Sequence, residues 1–133
     1  MPSIFSRIVN GEIPCYKIAE NDHYFAFLDA FPLKKGHVLV IPKVEVDYIF
    51  DLDDNVYCGL MEFAKVVAIA MKKAISCERI AISVMGLEVP HAHVHLIPMN
   101  TTSDVNFSNS KLKLEPEEFL TNAAQIRAHI PQV

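Results

Sequence analysis

A chain of 133 residues, 51% hydrophobic and 21% charged, has the length of one compact domain and too much apolar material for a disordered tail. Twelve basic against sixteen acidic residues leave a net charge of -4, so there is no global positive field to hold a polyanion, and nucleic acid is disfavoured as a partner. No apolar run approaches the ~20 residues that span a bilayer, charge comes too early, at Arg7, for a signal-peptide core, and Cys15, Cys58 and Cys77 form no C-x-x-C pair; a cytoplasmic, non-membrane protein with reduced, buried thiols is expected.

The chain carries no repeat and no low-complexity tract. Ser3 is placed to cap a short helix running to about Asn10, which Gly11 stops. Residues 16–20 and 23–29 read as two strands of a hairpin around the turn dipeptide Asn21-Asp22. The run His37-Val-Leu-Val-Ile41, ended by Pro42, predicts a third, well-buried strand. From about Asp53 to Ser76, apolar side chains at 56, 60, 63, 67, 70, 71 and 74 mark one face of a long helix, with acids at its front and Lys72-Lys73 at its rear. Arg79 to Met85 and Val89 to Met99 are predicted as two more strands, joined by Gly86-Leu87-Glu88. Beyond Asn100 the chain turns polar, and Pro116 opens a last helix to about His129. Strands that cluster rather than alternate strictly with helices predict an α+β fold: an antiparallel sheet of about five strands with two main helices.

The glycines at 11, 36, 59 and 86 build no phosphate-cradling loop, which excludes the Rossmann and P-loop classes. H-E-x-x-H and G-x-S-x-G are absent as well. Half of the six histidines instead stand at His91, His93 and His95. In a helix such positions diverge, whereas in a strand they share one face at roughly 6.6 to 6.8 Å spacing. The interleaved Ala92, Val94 and Leu96 favour the strand, with three imidazoles on one face and an apolar face on the core. A metal site is the rival reading, since imidazoles are common zinc ligands, with His37 and Glu88 as the candidates to complete it. His23 and His129 read as surface residues.

The run His91-Ala-His93-Val-His95-Leu-Ile97 resembles the H-φ-H-φ-H-φ-φ signature of the histidine triad (HIT) family of nucleotide hydrolases and transferases. Residues 4–14, then Phe25-Ala-Phe-Leu-Asp29 with Pro32, then Gly36 to Lys43 resemble further blocks of that family in the same order. The likeness covers about residues 3 to 99, and the part from about residue 100 is not diagnostic. It implies a single HIT domain over 1–133, a homodimer in which the long helix and a strand meet a twin, and attack on the α-phosphorus of a purine nucleotide conjugate, closest to the nucleoside phosphoramidase branch, with no cofactor required.

By the same resemblance His93 is the nucleophile that forms a nucleotidyl-histidine, which water then cleaves. His95 and His37 are expected on the phosphate oxygens, and His91 in orientation and proton handling. Asp29 matches the position that holds the ribose hydroxyls, and Phe5, Ile8, Phe27 and Ala30 match the walls around the base. The chemistry suits these residue types: a neutral imidazole is a good nucleophile near pH 7 once an acceptor, such as a backbone carbonyl, orients its second nitrogen.

Departures from the family pattern carry information. Ser3 and Ser6 stand where several members have cysteines of a structural zinc site, so that site is expected to be lost. The glycine-rich stretch that many members carry before the triad is reduced to Met85-Gly86-Leu87-Glu88. Glu88 falls where a Ser or Thr often meets the leaving group; a carboxylate there repels phosphate and accepts hydrogen bonds from an amine, which favours phosphoramidate or aminoacyl-type substrates over polyphosphates. Dinucleoside polyphosphate hydrolysis is the runner-up, and a nucleotide- or metal-binding regulatory module with little turnover comes from another class. Repair of adenylylated nucleic acid is opposed by charge and length.

Overall fold

Alternation of side chains along five short strands splits the apolar residues into two cores, and the computed structural model, which describes residues 2–131, shows both. The strands are β1 (Lys17–Glu20), β2 (Tyr24–Leu28), β3 (Val38–Pro42), β4 (Arg79–Ser83) and β5 (Val94–Met99), and the helices are α1 (Ile4–Val9), α2 (Asp54–Ala74) and α3 (Pro116–Arg127). They form one five-stranded sheet in the order β1-β2-β3-β5-β4, antiparallel throughout. The fold is the expected α+β arrangement, with α2 and α3 as its two substantial helices.

On one face Tyr24, Ala26 and Leu28 of β2, Val38 and Val40 of β3, and Val94 and Leu96 of β5 meet Leu60, Ala64, Val67, Ala70 and Met71 of α2. Leu60, Val67, Ala70 and Met71 belong to the apolar stripe that the helical spacing predicts, Val56, Phe63 and Ala74 of that stripe are partly buried beside them, and Ala64 joins from outside it. Burying one large side chain is worth ~1.5–3 kcal/mol. Phe119, Ala123 and Ile126 of α3 close the same core. The opposite face carries a smaller cluster, in which Phe25, Phe27, Leu39 and Ile41 are covered by Phe5 of α1. Because Leu39 pairs with His95 across β3 and β5, the histidine shares this second face. The apolar partners Ala92, Val94 and Leu96 are buried in the first core, as their alternation predicts.

Local signals end the elements where the sequence suggests. The Ser3 hydroxyl accepts the Ser6 N–H at 3.0 Å and caps α1, and Gly11 follows that helix at φ +81°. At the start of α3, Pro116 occupies the first turn, and the Glu118 carboxylate accepts the Glu115 N–H at 2.9 Å. Gly36 adopts φ +85° immediately before His37, a conformation that costs a side chain steric strain.

Two expectations are corrected. The strand predicted over Val89 to Met99 begins only at Val94, and its neighbour ends at Ser83 rather than Met85. Pro90 has no N–H to give, the His91 N–H turns back to the Val89 carbonyl at 2.8 Å, and the Ala92 N–H bonds the Val46 carbonyl at 2.7 Å, so these amides do not join the ladder. The thiols also differ from the buried expectation, since Cys58 is exposed on α2, and Cys15 and Cys77 are half-buried. His23 and His129 are exposed, as read from the sequence. Among the described residues no helix is long and apolar enough to cross a membrane.

Gly59 in α2 faces Tyr24 so closely that a Cβ there would run into the tyrosine hydroxyl, which itself donates to the Val56 carbonyl at 3.0 Å. Alanine gains ~1 kcal/mol of helix propensity over glycine, whereas overpacking a core costs ~1–3 kcal/mol. Gly59→Ala is therefore expected to lower the Tm in thermal denaturation, and adding Tyr24→Phe should recover part of the loss; an unchanged or higher Tm for the single variant would refute the close contact.

Candidate active site

Two separate stretches of chain, at 36–37 and 91–95, bring their histidines together. Gly36 turns the chain into β3 and places His37, β5 carries His95, and the irregular segment before β5 supplies His91 and His93. All four imidazoles are buried among described neighbours, His91 and His37 almost completely. The ring centroids of His37 and His95 lie 5.2 Å apart, and those of His93 and His95 5.0 Å apart.

Backbone groups, whose donor or acceptor role is fixed, decide which nitrogen of each ring carries the proton. The Leu33 N–H donates to His37 Nδ1 at 3.0 Å, so neutral His37 holds its proton on Nε2. That Nε2–H donates to His95 Nδ1 at 3.0 Å, which leaves the His95 proton on Nε2. At His93 the order is reversed, because Nδ1 lies 2.7 Å from the His91 carbonyl and must donate to it. Neutral His93 is thereby left with an unprotonated Nε2. His91 donates Nε2–H to the Pro42 carbonyl at 2.8 Å and accepts the Ser3 hydroxyl at Nδ1, also at 2.8 Å.

Burial keeps His37, His91 and His95 neutral. His37 is pushed down to about 3, chiefly by desolvation and then by His95, and His95 to about 4, chiefly by desolvation and then by His93. Desolvation likewise lowers His91, against the hydrogen bond to the Pro42 carbonyl. Asp29 is raised, first by burial, against the Phe31 N–H that donates to its Oδ1 at 2.9 Å. Its Oδ2 lies 3.5 Å from His37 Nε2.

Two connected clefts flank His93 and His95. The apolar one, about 400 Å³, is lined by Phe5, Ile8, Phe27 and Ala30 together with Asp29 and Glu88. Phe5 stands edge-on to the His93 ring at 5.0 Å and to Phe27 at 5.5 Å, so α1 props both the histidine and the apolar wall. The smaller one, about 210 Å³, is lined by Asp29, His37, Glu88, His93 and His95, and also by Phe107 and Lys111. Every site residue singled out in the sequence except His91 thus faces one or both clefts, and His91 lies behind His93 with its carbonyl as the orienting acceptor. His37 has both ring nitrogens engaged, by Leu33 and by His95, so it stands behind His95 rather than free to meet a phosphate oxygen. Phe107 and Lys111 were not anticipated, because the polar stretch after β5 carries no pattern that ties it to the histidines.

Neither of two candidate ligand sets favours a metal. Ser3, Ser6, Glu45 and His91 meet where the resemblance places a zinc site in other members, yet a serine hydroxyl does not ionise as a thiolate does. These groups satisfy one another instead: the Ser3 N–H and the Ser6 hydroxyl both donate to Glu45 Oε1 at 2.6 Å, and the Ser3 hydroxyl donates to His91. Asp29, His37 and His95 offer ligand atoms within 4.8 Å of one another. A cation there would have to displace the proton on His37 Nε2 and force it onto Nδ1, against the Leu33 N–H.

The comparisons agree with this geometry. The HIT domain profile matches residues 10–102. An uncharacterized HIT-like protein of Borreliella burgdorferi is 36% identical over 96% of this chain and 97% of its own. An adenosine 5'-monophosphoramidase of Schizosaccharomyces pombe is 33% identical over 98% of this chain and 99% of its own. Among solved structures, a Hit-like protein involved in cell-cycle regulation from Bartonella henselae superposes with a TM-score of 0.83 at 29% identity, covering 96% of this chain and 95% of that one. With the histidine cluster, the sheet that carries it and the matched residues in agreement, the chain belongs to the HIT domain family.

Proposed function

We propose that this protein is a purine nucleoside phosphoramidase, a nucleotide hydrolase acting at the α-phosphorus through a nucleotidyl-His93 intermediate. One observation carries the reading: the His91 carbonyl holds the proton of His93 on Nδ1 and leaves Nε2 as a lone pair beside the cleft. In this reading Nε2 attacks phosphorus, the bond to the leaving amine breaks, and the amine departs with a proton taken from solvent, which the attacking water of the second step returns. Water then attacks the same phosphorus, breaks the phosphorus–nitrogen bond to His93 and releases the nucleoside monophosphate. His95 Nε2–H serves as the donor to a phosphoryl oxygen, where charge develops, and His37 acts through His95 by holding that proton in place. Asp29 takes the ribose hydroxyls, and Phe5, Ile8, Phe27 and Ala30 take the base.

Glu88 supports an amine leaving group, because it is exposed at the rim of both clefts and accepts hydrogen bonds where a polyphosphate would be repelled. Cytoplasmic action and a homodimer belong to the same reading. Dimerisation is supported by the outer edge of β4, which has no strand partner among the described residues, and by Ile69 of α2 and Ile82 of β4, each about half exposed.

The reading is tested by incubating the protein with adenosine phosphoramidate and weighing it intact. A nucleotidyl adduct and released AMP are expected, and His93→Ala should abolish both; turnover retained in that variant overturns the nucleophile. With diadenosine polyphosphate as the competing substrate, kcat/KM is expected to favour the phosphoramidate, and a clear polyphosphate preference would remove Glu88 from the argument. The neutral histidine pair also predicts an acid limit. An unfolded imidazole takes up its proton near 6.5, whereas His37 and His95 do so at about 3 and about 4, so acid favours the unfolded chain. Their contribution to stability is complete above about pH 6.5 and is lost as the pH falls from there to about 3. The Tm should drop across that window, and His37→Gln should flatten the slope.

A further inference from the structure

The smaller cleft contains two carboxylates, Asp29 and Glu88, and a substrate phosphoryl group would bring further negative charge to it. His37 and His95 stay neutral there and offer only dipolar N–H groups. Among the described residues that line this cleft, the single cation is Lys111. It comes from the segment after β5, beyond the residues that match the family profile.

That segment is fastened at both ends. Near its start Asp104 accepts the Asn100 and Thr101 N–H groups at 2.8 and 3.0 Å and pairs with Lys34 at 3.0 Å. Near its end the Leu112 N–H donates to the Pro32 carbonyl at 2.8 Å. Between these anchors the half-buried Phe107 ring stands edge-on against His95 at 4.8 Å and His37 at 6.5 Å, so the segment is packed on the histidine pair itself. The Lys111 ammonium lies 5.6 Å from the Phe107 ring centroid and donates to the Phe107 carbonyl at 2.7 Å. Among the described residues it has no carboxylate within ion-pairing reach, while Lys34, Lys35 and Lys43 each have one. Burial dominates the titration of the groups around it, raising Asp29 and lowering His37 and His95, and the Lys111 charge acts beside it, against the rise of Asp29 and with the fall of the two histidines.

We propose that Lys111 binds the anionic phosphoryl group of the substrate, so that the segment after β5 completes the site with the one positive charge that the histidines and β-strands do not supply. This rests on the reading of the cleft as a nucleotide site. Lys111 is an exposed, substrate-binding residue positioned by Phe107, and its contribution is electrostatic: it should act on a ligand that carries phosphate and leave one without it untouched.

Calorimetric titration of the full chain with AMP and, separately, with adenosine tests the proposal. Lys111→Met should weaken AMP binding about tenfold, as expected for a charge-assisted contact at a solvated position, and leave adenosine unchanged. Lys111→Arg should stay near the wild type, and the AMP affinity of the wild type should fall more steeply with salt than that of Lys111→Met. Equal AMP affinity in the wild type and Lys111→Met overturns the proposal. An equal loss for both ligands also overturns it, because the lysine would then only support the segment. The adenylylation assay fails or succeeds separately: a wild type that shows the AMP-specific effect but no His93 adduct sinks the hydrolase reading and supports Lys111 as the anion-binding residue.

Discussion

A backbone N–H can only donate a hydrogen bond, and the polarity of the buried His37–His95 pair follows from that constraint at Leu33. Once its N–H points at His37 Nδ1, neutral His37 has to donate from Nε2, His95 has to accept at Nδ1, and the free N–H of His95 is its Nε2–H. The mirror constraint operates at His93, where a carbonyl can only accept and Nε2 is left bare. A protonated donor and an unprotonated nitrogen thus stand side by side on two rings of the same chemistry. Burial reinforces the arrangement, since charging either His37 or His95 would cost desolvation and charging both would set like charges beside each other.

Secondary structure makes those two backbone contacts possible. The β3–β5 pairing sets Leu39 opposite His95, which brings His37, next to the start of β3, within hydrogen-bond reach across the sheet. The strand stops short of His93, and that irregularity matters: a residue in the regular ladder has its neighbours' carbonyls committed to the next strand, whereas the His91 carbonyl is free to take the side chain two residues on. The helical face of the sheet holds most of the apolar core, leaving the other face to combine a small aromatic cluster with polar groups. Phe5 joins the two functions, because it seals that cluster while standing against His91 and His93.

The network from Glu45 through Ser3 and Ser6 to His91 shows how a helix-capping serine and a serine of the helix's first turn can be reused. Ser3 accepts the Ser6 N–H as a cap and donates to the imidazole with the same hydroxyl, and the Glu45 carboxylate collects the donors left over. Glu45 is exposed and held below its ordinary range, chiefly by the Ser3 N–H. A site built from hydroxyls, an imidazole and one carboxylate closes on itself by hydrogen bonding, without the thiolates that a structural zinc calls on.

Much of this was legible in the residues, because periodicity is a local property. The two-residue alternation of His91, His93 and His95 with Ala92, Val94 and Leu96, the helical stripe of α2, the Ser3 cap and the Pro116 start each depend on neighbours a few positions away. The sequence by itself therefore determined the elements, the fold class, the histidines and the family likeness. It overextended the strand at Val89, because the competing acceptor for the Ala92 amide is Val46, far off in the chain. Which nitrogen of each imidazole bears the proton, that His37 stands behind His95, and that Phe107 and Lys111 close on the cleft were decided only by the tertiary structure. Each depends on a partner tens of residues away or on a turn with no repeating pattern, and hydrogen-bond direction and charge proximity exist only once those partners have been brought within a few ångströms.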